Sequence, residues 1–116
     1  MSRLTWEAHR DDEMVRLALT GEFDLSNAVQ VEDAIKEVER DRPALIVLDL
    51  RELTFMDSTG LRVMVSADAR ARDDARRLAV VQGPESVHRV FRITGLDDHL
   101  EMIETPEAAL RDGKPQ

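Results

Sequence analysis

The sequence predicts a mixed α/β fold: a four- to five-stranded sheet with an antiparallel hairpin at its N-terminal edge, packed by about four α-helices. Three observations carry this expectation. Two strand-like segments stand close together at the start, separated by a short polar turn. The run Ala44-Leu45-Ile46-Val47-Leu48 is nearly all apolar and β-prone, as a strand covered on both faces requires. Between and beyond these segments, apolar residues recur at helical spacing, and strands joined through single helices run parallel.

Residues 3–9 and 14–20 form the expected hairpin. Val15, Leu17 and Leu19 alternate with Arg16, Ala18 and Thr20, the period of a sheet with one face buried, and Leu4 and Trp6 repeat it more weakly. His9-Arg10-Asp11-Asp12-Glu13 is the turn, too short for anything but an antiparallel connection. Gly21-Glu22-Phe23-Asp24-Leu25-Ser26 then leaves the second strand. Ser26 or Asn27 is placed to cap a helix, with Asn27 and Gln30 spaced as a capping box. Ala28, Val31, Ile35 and Val38 give that helix its apolar stripe, and Pro43 marks its end.

After the Ala44–Leu48 strand, a second helix follows Thr54-Phe55-Met56-Asp57-Ser58-Thr59-Gly60, with Leu61, Met64 and Val65 inward, and runs to about Arg72. Arg76 to Gln82 enters another buried strand. Gly83-Pro84 opens a third helix, with Pro84 suited to its first turn and Val87, Val90 and Phe91 on its apolar face, and Gly95 is suited to its C-terminal stop. A short strand around Met102-Ile103 and a helix from Pro106 to about Arg111 complete the order β-β-α-β-α-β-α-β-α. The chain, 1–116, reads as one domain, ordered from about residue 3 to 111, with Asp112–Gln116 as a frayed tail.

Composition excludes several chemistries. With no cysteine among 116 residues, disulfide frameworks, thiolate metal sites and thiol redox catalysis are ruled out. A formal charge of −8 argues against a surface that neutralises nucleic-acid phosphates or anionic lipid. The N-terminus lacks the apolar core of a signal peptide, and no apolar run approaches the ~20 residues of a membrane span, so the expected location is the cytoplasm without membrane insertion. Neither a phosphate-binding loop nor a dinucleotide fingerprint occurs. His9, His88 and His99 have no partners at metal-ligand spacing and read as surface histidines.

One segment stands apart, Asp49-Leu50-Arg51-Glu52-Leu53-Thr54-Phe55-Met56-Asp57-Ser58-Thr59-Gly60-Leu61, between the most buried strand and a helix. In open α/β sheets, ligands and reacting groups gather beyond the carboxyl ends of strands. Asp49 is expected at that strand end, paired with a basic side chain or fixing a loop. Ser58, at the helix start, has three readings. It caps the helix; it is a nucleophile; or it is a phosphoacceptor exposed to a partner kinase. The nucleophile reading is weak, because a hydrolase elbow needs glycine where Met56 stands and no histidine is placed to assist.

The run Leu48-Asp49-Leu50, then Phe55-Met56-Asp57-Ser58-Thr59-Gly60-Leu61, resembles the signature of bacterial anti-sigma factor antagonists, which are built on the STAS domain. Gly21-Glu22-Phe23-Asp24 is similar to that family's other recurrent loop, and Phe91-Arg92-Ile93-Thr94-Gly95-Leu96 to the end of its third helix. The resemblance spans about Leu4 to Leu110.

The resemblance implies a partner-switching mechanism and no enzymatic activity in this chain. The unphosphorylated antagonist binds an anti-sigma factor that is also a serine kinase, and a sigma factor is released. The kinase, holding ATP-Mg in its own site, phosphorylates the serine matched here by Ser58, and a PP2C-like phosphatase restores it. Asp24 and Asp57 would present the serine or contact the kinase, with Thr59 a second hydroxyl and Gly60 a point of close approach. Arg62, where many relatives carry a small or apolar residue, bears on partner choice. No cofactor or metal is expected in the chain, which would be a monomer or weak dimer. The alternative within the family is a constitutive adaptor subunit of a transporter or stress-signalling complex, with Ser58 only a cap.

A phosphoserine carries about −1.5 to −2 charges. At position 58 it would adjoin Asp57, and the helix amides are expected to accept it locally, so the fold survives. An interface matched to a neutral hydroxyl does not: repulsion of ~3 kcal/mol weakens binding more than a hundredfold.

Overall fold

The computed structural model describes residues 3–11 and 14–111. In chain order the elements are β1 (Leu4–Asp11), β2 (Met14–Phe23), α1 (Ala28–Glu39), β3 (Leu45–Met56), α2 (Ser58–Asp73), β4 (Arg77–Val81), α3 (Glu85–Thr94), β5 (Glu101–Ile103) and α4 (Pro106–Arg111), with a 3₁₀ turn at Leu96–Asp98. The strands lie side by side in the order β1-β2-β3-β4-β5. The β1–β2 pair is antiparallel, and β2–β3, β3–β4 and β4–β5 are parallel. This is the mixed sheet with an antiparallel edge that the element order predicts. Of the expected turn, His9 to Asp11 belong to β1; Asp12 and Glu13, like the expected tail Asp112–Gln116, lie outside the described residues.

Alternation along the strands divides two cores. On one face Val15, Leu17, Leu19, Ile46, Leu48 and Leu50 meet the buried stripes of α1 (Val31, Ile35, Val38), α2 (Met64, Ala67) and α3 (Val87, Phe91). On the other, Leu45, Val47, Ala79, Val81 and Ile103 meet Ala108 and Ala109 of the short α4. The central strands are buried on both sides, which is why Ala44–Leu48 reads as an uninterrupted apolar run. In α2, Val63 takes the buried position that Val65 was expected to fill; Val65 is half-buried.

Two elements exceed their expected lengths. β3 does not stop at Leu48 but continues to Met56, and β2 continues through Gly21 to Phe23. Ala18 pairs with Asp49 but Thr20 with Glu52, and Gly21 pairs with Leu53 but Glu22 with Phe55. Each shift inserts one extra residue into β3, as a β-bulge does. Gly21 fits this geometry because its φ is +114° and a Cβ there would lie 2.0 Å from the carbonyl oxygen of Arg3. Asp49 is consequently in mid-strand, not at the strand end.

Capping also differs from expectation. Asn27 occupies the N-cap position of α1 but makes no side-chain cap bond, so the expected box with Gln30 is absent. Its carboxamide turns back instead, accepting from Asp24 N–H at 3.1 Å and donating to Glu22 O at 2.9 Å. At 1% exposure it is an internal brace of the loop after β2. Pro84 stands just before α3 as its N-cap rather than in the first turn, and Gly95 ends that helix at φ +79°.

Candidate functional site

β2 and β3 end together, with Phe23 opposite Met56 and Asp57 N–H donating to Phe23 O at 3.3 Å. α1 and α2 both begin just beyond these strand ends. The Asp24 loop and the Asp57-Ser58 junction therefore share one end of the sheet, as expected of reacting groups in this architecture.

At that junction Asp57, not Ser58, caps α2. Asp57 Oδ1 accepts from Thr59 N–H at 2.9 Å and Gly60 N–H at 3.2 Å, while its carbonyl accepts from Leu61 N–H at 3.2 Å. Asp57 is extended (φ −101°, ψ −173°), the usual backbone of a cap residue. The helix starts at Ser58, as expected. Ser58 is exposed, and its hydroxyl has no hydrogen bond among the described residues. The cap reading of Ser58 is overturned. The Asp57 carboxylate holds two of the helix-start amides that a phosphate on Ser58 would otherwise meet.

Thr59 is half-exposed beside Ser58. Gly60 is a point of close approach: a Cβ there would lie 2.7 Å from Met56 Cγ and 3.1 Å from Phe23 Cδ2. Met56 and Leu61 are buried, as packing groups should be. The Asp24 carboxylate is turned onto its own loop, Oδ1 accepting from Ser26 N–H at 3.0 Å and Ser26 Oγ–H at 2.6 Å. Arg62 is exposed one turn along α2 and has no ion pair or hydrogen bond among the described residues.

Sequence reasoning overlooked the apolar side chains around this end. Leu25 is 75% exposed, Val29 70% and Phe55 48%. The signal was present for Val29, which lies off the Ala28-Val31-Ile35-Val38 stripe on a helix with no second buried face. Phe55 is hidden by the bulges, which turn it outward between buried Leu53 and Met56.

Asp49 is distant in role from this site. At 4% exposure it accepts from Arg51 Nε at 3.0 Å, Arg51 Nη2 at 2.8 Å and Arg16 Nη1 at 3.1 Å. Burial pushes its carboxyl up, but the hydrogen bonds and charge of Arg51, with help from Arg16, outweigh that and hold it below the ordinary carboxylate range. It pairs with basic side chains, as one expectation had it, inside the sheet.

Among the described residues no group of three or more His, Asp or Glu side chains could hold a metal. His9 and His99 are exposed, whereas His88 is half-buried, its ring stacked with Phe91 at a centroid distance of 6.2 Å. No described helix is long and apolar enough to cross a membrane.

A family model described as the Mlab, STAS domain matches residues 6–104. The anti-sigma-B factor antagonist of Listeria monocytogenes is 32% identical over 93 residues, covering 80% of this chain and 82% of that protein. The anti-sigma-F factor antagonist RsfB of Mycobacterium tuberculosis is 31% identical over 94 residues, 81% of this chain and 76% of its own length. The crystal structure of an anti-sigma factor antagonist from Mycobacterium paratuberculosis superimposes with a TM-score of 0.86 at 27% identity, covering 94% of this chain and 92% of that one. The chain belongs to the STAS-domain anti-sigma factor antagonist family.

Proposed function

We propose that this chain is an anti-sigma factor antagonist switched by phosphorylation of Ser58: a regulatory binding module and a kinase substrate, itself neither an enzyme nor a cofactor-binding protein. The observation that carries the reading is the division of labour at the start of α2. Asp57 supplies the cap, so the Ser58 hydroxyl is exposed and makes no hydrogen bond among the described residues. The exposed Leu25, Val29 and Phe55 at the same end of the sheet support a partner surface around it. In the unphosphorylated state this end docks on an anti-sigma factor with serine kinase activity. The kinase moves the γ-phosphoryl group of its own ATP-Mg to Ser58 Oγ; ADP leaves and the hydroxyl proton is lost. The added charge then faces a surface matched to a neutral hydroxyl, and a PP2C-like phosphatase resets the chain by hydrolysis. The proposed setting is the bacterial cytoplasm.

Incubation with the anti-sigma kinases of the source organism and ATP-Mg, followed by mass mapping, tests this. A phosphate on Ser58, absent from Ser58→Ala, with tight partner binding by Ser58→Ala and weak binding by Ser58→Asp, is the expected result. Equal binding by the two variants would refute the switch. Modification by none of the kinases, with copurification of transport subunits, would instead support a constitutive adaptor.

A further inference from the structure

We infer that Arg62 is the phosphate's counter-cation within this chain: phosphorylation of Ser58 draws the Arg62 guanidinium back onto the phosphate and out of the partner-facing surface. The inference rests on the proposed phosphorylation of Ser58 and adds a regulatory part to that site. Three observations carry it.

First, the helix start has little left to offer an anion. Asp57 Oδ1 holds the amides of Thr59 and Gly60, Asp57 O holds that of Leu61, and the Asp57 amide itself is spent on Phe23 O. In the first turn the Ser58 amide has no partner among the described residues, and a phosphate seeking those of Thr59 and Gly60 must displace a carboxylate of its own sign. Second, Ser58 and Arg62 are four residues apart on α2, both exposed. That spacing puts their Cβ atoms about 5–6 Å apart on one helix face, with the anion on the N-terminal side, the favourable order for such a pair. Third, Arg62 is uncommitted. On the same helix Arg70 is held by Glu32 and Glu39, and Arg72 by Asp68, whereas Arg62 has no carboxylate within 4.0 Å among the described residues.

The chemistry follows from these placements. A phosphoserine with three acceptor oxygens and a guanidinium with a planar fork of donors make a charge-assisted, bidentate pair. Asp57 keeps the amides and so directs the phosphate along the helix toward Arg62. In the unphosphorylated chain Arg62 is exposed one turn from Ser58 with no ion pair among the described residues, and so is available to a carboxylate of the partner. Phosphorylation therefore acts twice at the interface, adding negative charge and withdrawing a cation.

The test uses full-length chain carrying phosphoserine at position 58, installed during translation so that no kinase is needed. The second ionisation of the phosphate is followed by ³¹P NMR in otherwise wild-type chain, in Arg62→Gln and in Arg62→Lys. Arg62 should make the phosphate more acidic, the ionisation constant falling roughly twofold to fivefold in Arg62→Gln. Arg62→Lys should recover part of the effect, and 1 M NaCl should erase most of the difference. Thermal unfolding should show Arg62→Gln lowering the midpoint of the phosphorylated chain and leaving that of the unphosphorylated chain in place. Equal ionisation constants in wild type and Arg62→Gln at low salt would overturn the inference and leave the proposed switch standing. A clear difference, together with failure of the cognate kinases to modify Ser58, would sink the proposed function and leave the pairing intact.

Discussion

At Ser58 the difference between a structural and a regulatory hydroxyl comes down to which side chain takes the amides of Thr59 and Gly60. Asp57 takes both. Removing a working N-cap costs about 1 kcal/mol, so Asp57→Ala should lower the unfolding free energy by about that amount, while Ser58→Ala should stay within roughly 0.5 kcal/mol of wild type. Urea denaturation decides it, and a loss at Ser58→Ala as large as at Asp57→Ala would restore the cap role to the serine. Gly60 gives a second test. Alanine is the better helix former by about 1 kcal/mol, yet its Cβ would press on Met56 Cγ at 2.7 Å and the Phe23 ring at 3.1 Å, with both side chains buried. Overpacking of this kind costs about 1–3 kcal/mol, so Gly60→Ala should destabilise the chain. A melting temperature at or above wild type would mean that Met56 and Phe23 yield without cost.

Among the elements, β3 shows best why part of the site was hidden in the sequence. Leu45 to Leu50 are continuously buried, a strand between two layers, and are legible as such. Beyond Leu50 the buried residues are Leu53 and Met56, spaced by three, because each bulge adds a residue and breaks the period of two. Without its partner strand such a segment reads as a loop, so the sequence pattern alone ends the strand eight residues early. The Asp57-Ser58-Thr59-Gly60 motif and the Asp24 loop were legible because their residue types are distinctive. Which of Asp57 and Ser58 caps was not, since both are good cap residues and only backbone direction separates them. Asn27 does stand at the N-cap of α1, but its carboxamide is spent on Asp24 N–H and Glu22 O rather than on the helix amides.

The β2–β3 pair also carries a pH signature. Asp49 titrates near 4 in an unfolded chain and lower when folded, so between the two values the unfolded state binds more protons. Its contribution is complete above about pH 4 and is lost as pH falls through the folded value. Asp49→Asn should reduce stability by about 1–3 kcal/mol at neutral pH and flatten the acid limb of the stability curve. An acid limb of unchanged slope would assign acid sensitivity to other carboxylates.

Across the whole molecule, a net charge of −8 is a poor guide to the switch. The longest dimension is 35 Å, several times the screening length of about 8 Å at physiological salt, so carboxylates at the far end of the sheet act little on Ser58. Many acids are moreover committed, Asp41 to Arg10, Glu39 to Arg70, Glu101 to Arg77. What distinguishes the Ser58 end is local: Asp57 beside the serine, Arg62 without an ion pair among the described residues, and the exposed apolar side chains of Leu25, Val29 and Phe55. Burying a leucine or valine side chain at an interface contributes about 1.5–3 kcal/mol, enough for a tenfold to hundredfold change in affinity. Leu25→Ser and Val29→Ser should each weaken binding to the anti-sigma partner by about tenfold or more. Both side chains are already in water in the free chain, so the urea midpoint should not fall. Ile93 and Leu110 are the internal controls. They are comparably exposed, but Ile93 lies in the last turn of α3, which follows a Gly83 packed against Leu50, six residues short of Met56, and Leu110 lies on α4 across the sheet. Serine at either control position should leave affinity unchanged in calorimetric titration. If the four variants weaken binding equally, the apolar contribution is nonspecific and the docking surface is not centred on Ser58.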